Sequence, residues 1–159
     1  MGEFVKWRDD WKLGIEPLDR QHRQMTDALN RLVQACHGEL EPGVGEEERE
    51  GVLAQRMDEL YRLTRDHFRL EERMMQATRF PGHAEHAREH ALLLAELKRA
   101  FAERLAAGCC DLDERTLQAL KTWFVVHVSR SDREFADYIA EHDIPVEQQG
   151  SGTAGDSRS

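Results

Sequence analysis

Histidines and carboxylates interrupt the apolar stripes of the predicted helices, at positions where a leucine or methionine would be expected. On the second predicted helix, His67 and Glu71 stand four residues apart, and the third carries His86 and His90 at the same spacing. Residues four apart share one helix face, about 6 Å apart along the axis, so each pair can aim at one point. Glu72, the neighbour of Glu71, is expected on the surface.

The first and fourth predicted helices add to this polar set. His22 lies between Leu18 and Met25 on the first stripe, and His127 is followed by Asp132 on the fourth. An ideal helix would separate residues five apart by about 140° around its axis. We therefore expect a π-type widening between His127 and Asp132, a feature that is often found at functional sites.

Together these positions place five imidazoles and two carboxylates on inward faces. Burying them without partners would cost several kcal/mol each, whereas a domain of this size has a net stability of about 5–15 kcal/mol. A metal centre offsets that cost, and helical bundles build such centres from side chains on facing helices. A single HxxxE or HxxxH pair is more typical of a solvated helix face. The metal prediction therefore depends on all four helices contributing ligands at matching depth.

The elements that must position these residues are four long helices. They are predicted at about residues 17–37, 46–77, 83–107 and 112–141, with short breaks between them that contain Gly, Pro or Asp. Asp111 or Asp113 is available to cap the fourth helix. This pattern predicts an all-α, up-down-up-down four-helix bundle. An N-terminal arm, residues 1–16, carries Trp7, Trp11 and Ile15 and is apolar enough to pack across the bundle.

Composition restricts the class of protein. The 159 residues suit one domain, predicted at residues 1–144, and the Gly- and Ser-rich residues 145–159 predict a disordered tail. A formal net charge of −9 disfavours nucleic acid or an anionic membrane as a partner. No apolar run approaches the roughly 20 residues of a membrane span, and the first residues do not resemble a signal peptide. We expect a cytoplasmic protein whose Cys36, Cys109 and Cys110 are reduced thiols at helix ends rather than ligands.

Four ordered motifs make the chain resemble the hemerythrins, and specifically the single-domain bacteriohemerythrins. The motifs are WRDDWKLGIEPLDRQH at residues 7–22, HFRLEERMM at 67–75, FPGHAEHAREH at 80–90 and WFVVHVSRSD at 123–132. The resemblance covers residues 7 to about 140, and no ligand position departs from the family's pattern. The departures are peripheral, in the Gly-rich loop at residues 38–46 and in the tail.

The resemblance implies a centre of two non-haem iron ions bridged by an oxo or hydroxo group. Its seven ligands would be three imidazoles on one iron (His86, His90 and His127), two on the other (His22 and His67) and two bridging carboxylates (Glu71 and Asp132). On this count one iron has six ligands, and the other keeps one open position for O₂. The family resemblance also implies an apolar wall beside that position, made of Phe68, Trp123, Phe124 and Val128. Plain core packing would account for these four side chains equally well.

The ligand set and the resemblance together predict reversible O₂ binding, for oxygen carriage, storage or delivery, rather than enzymatic turnover. Its imidazoles outnumber its carboxylates, unlike carboxylate-rich di-iron sites with paired Glu-x-x-His motifs. Two alternatives remain open: a di-iron enzyme that consumes peroxide or nitric oxide, and an oxygen or redox sensor module. His83, three residues before His86, and the thiols would favour the enzyme. O₂ is the predicted partner, and an oxygen-consuming protein is a candidate acceptor.

Overall fold

The structure is a computed structural model that describes residues 4–38, 43, 45–106 and 113–144. The described residues form helices and contain no strand. Helix α1 spans Glu16–Cys36, α2 spans Glu46–Thr78 and α3 spans His83–Ala106. The fourth helix consists of α4 at Glu114–Val126, a π turn at His127–Ser131 and α5 at Asp132–Glu141. The predicted all-α four-helix bundle is confirmed, and the helix ends lie within two residues of the predicted ones.

The start of α1 is fixed by its own sequence. Pro17 occupies the first turn, where its preset φ suits a helix and its missing N–H is no loss. The carboxylate of Asp19 accepts hydrogen bonds from the backbone N–H groups of Leu13, at 2.8 Å, and Gly14, at 3.1 Å. Gly14 has a φ of +86°, in the region that glycine adopts without strain. The turn into α1 is thus held by a buried carboxylate three residues before His22.

The N-terminal arm packs along the bundle as predicted. The side chain of Asn30 on α1 pairs with both backbone groups of Val5, each at 2.8 Å. Trp11 and Ile15 are buried, and the Trp11 ring meets Phe124 of α4 edge to face at 6.3 Å. Arg133 of α5 donates to the carbonyl oxygens of Asp10 and Lys12 at 3.0 and 2.9 Å. The arm therefore connects the first helix to the fourth.

The core is divided into two apolar clusters with a polar layer between them. The larger cluster includes Met25, Leu60 and Phe124, and the smaller one includes Leu18, Met74 and Phe135. On α1, α2 and the fourth helix, the predicted ligands lie in sequence between a residue of one cluster and a residue of the other. The polar layer is therefore enclosed by apolar side chains along the bundle.

The fourth helix begins at the predicted cap. Thr116 N–H donates to Asp113 Oδ1 at 2.8 Å, and Arg104 of α3 donates to the other carboxylate oxygen at 3.1 Å. The alternative cap, Asp111, lies outside the described residues, as do Cys109, Cys110 and the predicted tail at residues 145–159. No helix in the described part of the chain is long and apolar enough to cross a membrane.

Candidate metal centre

All seven predicted ligands converge in the polar layer. His22, His67, Glu71 and Asp132 are completely buried, and His90 and His127 are 1% and 2% exposed. His86 is the most accessible of the seven at 6%. α1 supplies one of these side chains, α2 two, α3 two and the fourth helix two. Within the described residues they form two groups whose ligand atoms lie within 4.8 Å of one another.

The first group combines three imidazoles with both carboxylates. His86 Nε2 and His90 Nε2 each lie 3.1 Å from Glu71 Oε1. His127 Nε2 lies 2.9 Å from Asp132 Oδ1 and 3.9 Å from Glu71 Oε1. One carboxylate oxygen from each acid therefore faces this set of three imidazoles.

The second group contains two imidazoles and the opposite oxygen of Asp132. Asp132 Oδ2 lies 2.6 Å from His22 Nε2 and 3.0 Å from His67 Nε2, and the two nitrogens are 3.2 Å apart. Asp132 thus directs one oxygen at each group, which is the geometry of a bridging carboxylate. Glu71 Oε2 is buried and has no hydrogen-bond partner in the described structure.

The polar atoms left without hydrogen bonds show that the layer fits metal ions. Besides Glu71 Oε2 they include Asp132 Oδ1, His90 Nε2 and His127 Nε2, all buried. Native proteins rarely leave such buried atoms without a well-formed hydrogen bond. Here imidazole nitrogens and carboxylate oxygens crowd into one small volume, as ligands around a shared cation do. Imidazole nitrogens and carboxylate oxygens together are suitable ligands for iron. Cys36, the last residue of α1, belongs to neither group.

The π turn is what brings the Asp132 carboxylate between the two groups of imidazoles. Asp132 N–H donates to the carbonyl of His127, five residues back, instead of the usual four. This widening brings two side chains that an ideal helix would splay onto the same face. The widening predicted from the spacing of His127 and Asp132 is confirmed.

Two further side chains contact the outer nitrogens of predicted ligand imidazoles. Gln21 Oε1 lies 2.9 Å from His67 Nδ1, and Glu72 Oε2 lies 2.7 Å from His90 Nδ1. Metal-bound histidines commonly donate their second ring N–H to such acceptors, which fixes the tautomer and the ring orientation. The prediction that Glu72 is a surface residue is wrong, because it is half-buried between α2 and α3. Gln21 lies next to His22 in the first of the four motifs, and this position is the sequence signal for its role.

Without a metal, the layer titrates as a network. Burial lowers the pKa of His86, but hydrogen bonds to Asp132 and Glu71 outweigh it and raise the pKa to about 10. Burial would raise the pKa of Asp132, yet the neighbouring His127 and the hydrogen bonds from His127 and His22 hold it well below its usual value. Burial, together with the charge of His22, lowers the pKa of His67. The carboxylates are therefore ionised at neutral pH, and a binding cation displaces protons from imidazoles.

Aromatic rings cover part of the layer. The Phe68 ring stacks on the His90 ring with 3.7 Å between the ring centroids, and its centroid lies 5.8 Å from that of the His67 ring. The centroid of the Trp123 ring lies 6.3 Å from that of the His127 ring, and the two ring planes are inclined by 24°. Phe124 lies behind these rings, between Trp123 and Trp11. The Val128 side chain lies outside the described structure. His83, the first residue of α3, is in neither ligand group.

Comparison with known proteins identifies the architecture. Residues 13–139 match the family model described as the hemerythrin HHE cation binding domain. The chain belongs to the hemerythrin family. A bacteriohemerythrin of Stenotrophomonas maltophilia is 29% identical over 139 residues, which cover 87% of this chain and 84% of that one. A myohemerythrin of Riftia pachyptila is 30% identical over 129 residues, covering 81% and 88%.

Solved structures agree on the fold. A crystal structure of a hemerythrin mutant superposes with a TM-score of 0.72 and 20% sequence identity, covering 86% of this chain and 97% of that one. At this identity the match bears on the fold alone. Hemerythrin domains bind a di-iron centre, and the two ligand groups joined by Asp132 give this chain a place for two ions.

Proposed function

We propose that this hemerythrin binds O₂ reversibly at a non-haem di-iron centre, as a protein of oxygen carriage, storage or delivery. The observation that carries the proposal is the unequal division of imidazoles, three in one group and two in the other. If both carboxylates were shared between the ions together with one oxygen atom, the smaller group would leave one coordination position for O₂. When bound, the two irons would supply the reversible redox chemistry of O₂ binding.

The assignment of ligands follows the distances. His86, His90 and His127 would hold one iron, since all three surround Glu71 Oε1 and Asp132 Oδ1. His22 and His67 would hold the other, beside Asp132 Oδ2. Glu71 would complete the second bridge through Oε2, the buried oxygen that has no hydrogen bond in the described structure.

The remaining task of the protein is to exclude water from the O₂ position. The proposed wall of Phe68, Trp123, Phe124 and Val128 would do this, and the first and third of these are 1% exposed. His83 lies in neither ligand group, so it gives the enzymatic alternative no support. We therefore favour binding over turnover of peroxide or nitric oxide.

The setting of the protein is also part of the proposal. We place it in the cytoplasm, in agreement with an odd number of cysteines and no CxxC pair, a usage that suits reduced thiols. We propose one domain at residues 1–144 and an oxygen-consuming protein as the acceptor of the released O₂.

An optical experiment tests the proposal. Purified protein is deoxygenated, re-aerated and deoxygenated again while its spectrum is recorded. Reversible binding predicts an absorption band that appears with O₂ and disappears without it over repeated cycles. A spectrum that changes once and does not return would contradict it. Sustained consumption of peroxide or nitric oxide in a stopped-flow assay would favour the enzyme, and a partner captured in only one ligation state would favour the sensor.

A further inference from the structure

An open groove of about 840 Å³ lies between α3 and the π-turn segment of the fourth helix. One wall is α3, with Glu85, His86 and Glu89, and the opposite wall includes Arg130 and Glu134. Both walls carry proposed iron ligands. His86 and His90 lie on α3, and the π turn begins at His127 and is followed directly by Asp132. The groove therefore leads from solvent directly to the metal layer.

His86 is the point where the groove meets the centre. It is 6% exposed, whereas the other six proposed ligands are at most 2% exposed. Its Nε2 faces Glu71 Oε1 at 3.1 Å, and its Nδ1 makes no hydrogen bond to any described residue. The other six proposed ligands are closed off from solvent, and His86 is the one that also lines the groove. An ion that enters from water through the groove therefore meets His86 first.

The charges of the groove favour a cation. Four carboxylates line it, those of Glu85, Glu89, Glu96 and Glu134, against two guanidinium groups, Arg88 and Arg130. Glu89 accepts a hydrogen bond from Ser131 Oγ at 3.2 Å, and within the described structure none of the four carboxylates forms an ion pair. A cleft lined by an excess of one charge concentrates ions of the opposite charge and raises their association rate.

A second crevice gives a contrast. It has a volume of about 270 Å³, lies between α3 and α4, and is lined mainly by apolar side chains with one carboxylate and one guanidinium group. Trp123 is among its lining residues, and no proposed iron ligand lines it. Its chemistry does not suit a hydrated divalent cation.

We propose that the groove between α3 and the π turn is the route by which ferrous ions reach and leave the centre. Glu85, Glu89 and Glu134 hold the hydrated cation transiently, and His86 is the imidazole that takes it inward. The proposal rests on the di-iron centre of the proposed function, and it is independent of what that centre does with O₂.

Isotope exchange tests the route on the intact, loaded protein. Deoxygenated protein is mixed with an excess of a heavier ferrous isotope, and native mass spectrometry follows the replacement of its iron. The test protein is the triple variant Glu85→Gln, Glu89→Gln and Glu134→Gln. A matched triple variant, Glu50→Gln, Asp58→Asn and Glu103→Gln, removes the same charge from exposed positions outside the groove.

The groove variant should keep two irons at equilibrium but exchange them about tenfold more slowly at low ionic strength, and the difference should shrink in high salt. Arg88→Gln should speed exchange, and the control triple should exchange like wild type. Wild-type exchange in the groove variant would overturn the route, as would equal slowing in the control. A wild-type protein that starts without two irons would instead contradict the proposed function.

Discussion

At the scale of single residues, the two carboxylate oxygens of Glu71 have different surroundings. A Glu71→Gln variant therefore tests whether this carboxylate bridges two iron ions. Oε1 faces the imidazoles of His86 and His90, and Oε2 is buried without a hydrogen bond in the described structure. In Glu71→Gln one oxygen becomes an NH₂ group, which cannot bind a cation. Iron analysis should find clearly less than two irons per chain. The exposed Glu103→Gln should retain both, and equal retention in the two variants would mean that Glu71 is not the bridge.

The hydrogen bond between Glu72 and His90 predicts a smaller effect. Glu72→Gln keeps the shape of the acceptor but removes the charge that orients His90 Nδ1–H, at 2.7 Å in the parent. Loss of such partners commonly lowers metal affinity about 10–100-fold. The variant should therefore load fully with excess iron and lose it faster to a competing chelator. Retention equal to that of Glu103→Gln would show that this contact does not tune the centre.

At the scale of the elements, two buried residues of α4 can distinguish the effect of the proposed apolar wall from the effect of core packing in general. Phe124 and Leu117 are both 1% exposed and belong to the same apolar cluster. Either alanine variant should lose several kcal/mol of unfolding free energy, about 2–5. Only Phe124→Ala should admit water to the proposed O₂ position and speed autoxidation, measured as decay of the oxygenated absorption band in air. Equally fast decay in Leu117→Ala would place the wall elsewhere.

The elements also show what a sequence can and cannot predict. The π turn was predictable because His127 and Asp132 both had to face inward, and an ideal helix would splay them. The burial of the α2 stripe was predictable for a similar reason, since its periodicity is continuous from Leu53 to Met74. The role of Glu72 was not predictable. It depends on how α3 is rotated against α2, and the spacing within one helix carries no information about that rotation.

Helix α3 also shows that the spacing of residues within one helix does not predict how far its apolar face is covered. Leu93 and Leu94 continue the spacing of His86 and His90 along one face of α3, yet they are only half-buried, and Leu92 is 65% exposed. Leu92 and Leu93 line the groove between α3 and the π-turn segment, where no described helix covers this part of α3. A pattern of apolar residues predicts which face of a helix turns inward, and the partner helix decides how far that face is covered.

At the scale of the whole molecule, the polar layer lies between the two apolar clusters, where all four helices meet. We therefore expect the stability of the fold to depend on what occupies this layer. Without metal, the layer buries polar atoms that lack hydrogen bonds in the described structure. Metal binding contributes folding free energy to such sites. Chelated protein should melt at a lower temperature by circular dichroism, and added ferrous iron should restore the midpoint. An unchanged midpoint would mean that the helices pack independently of the centre.

The amount of O₂ taken up per iron tests the central claim most directly. Deoxygenated protein of known iron content is titrated with O₂ while the absorption band is followed, and then purged with argon. Two irons with a single open position predict two irons per chain, saturation at one O₂ per two irons, and full loss of the band on purging. One iron or a zinc ion per chain, or O₂ uptake that continues past that ratio, would contradict a di-iron centre that binds O₂ reversibly.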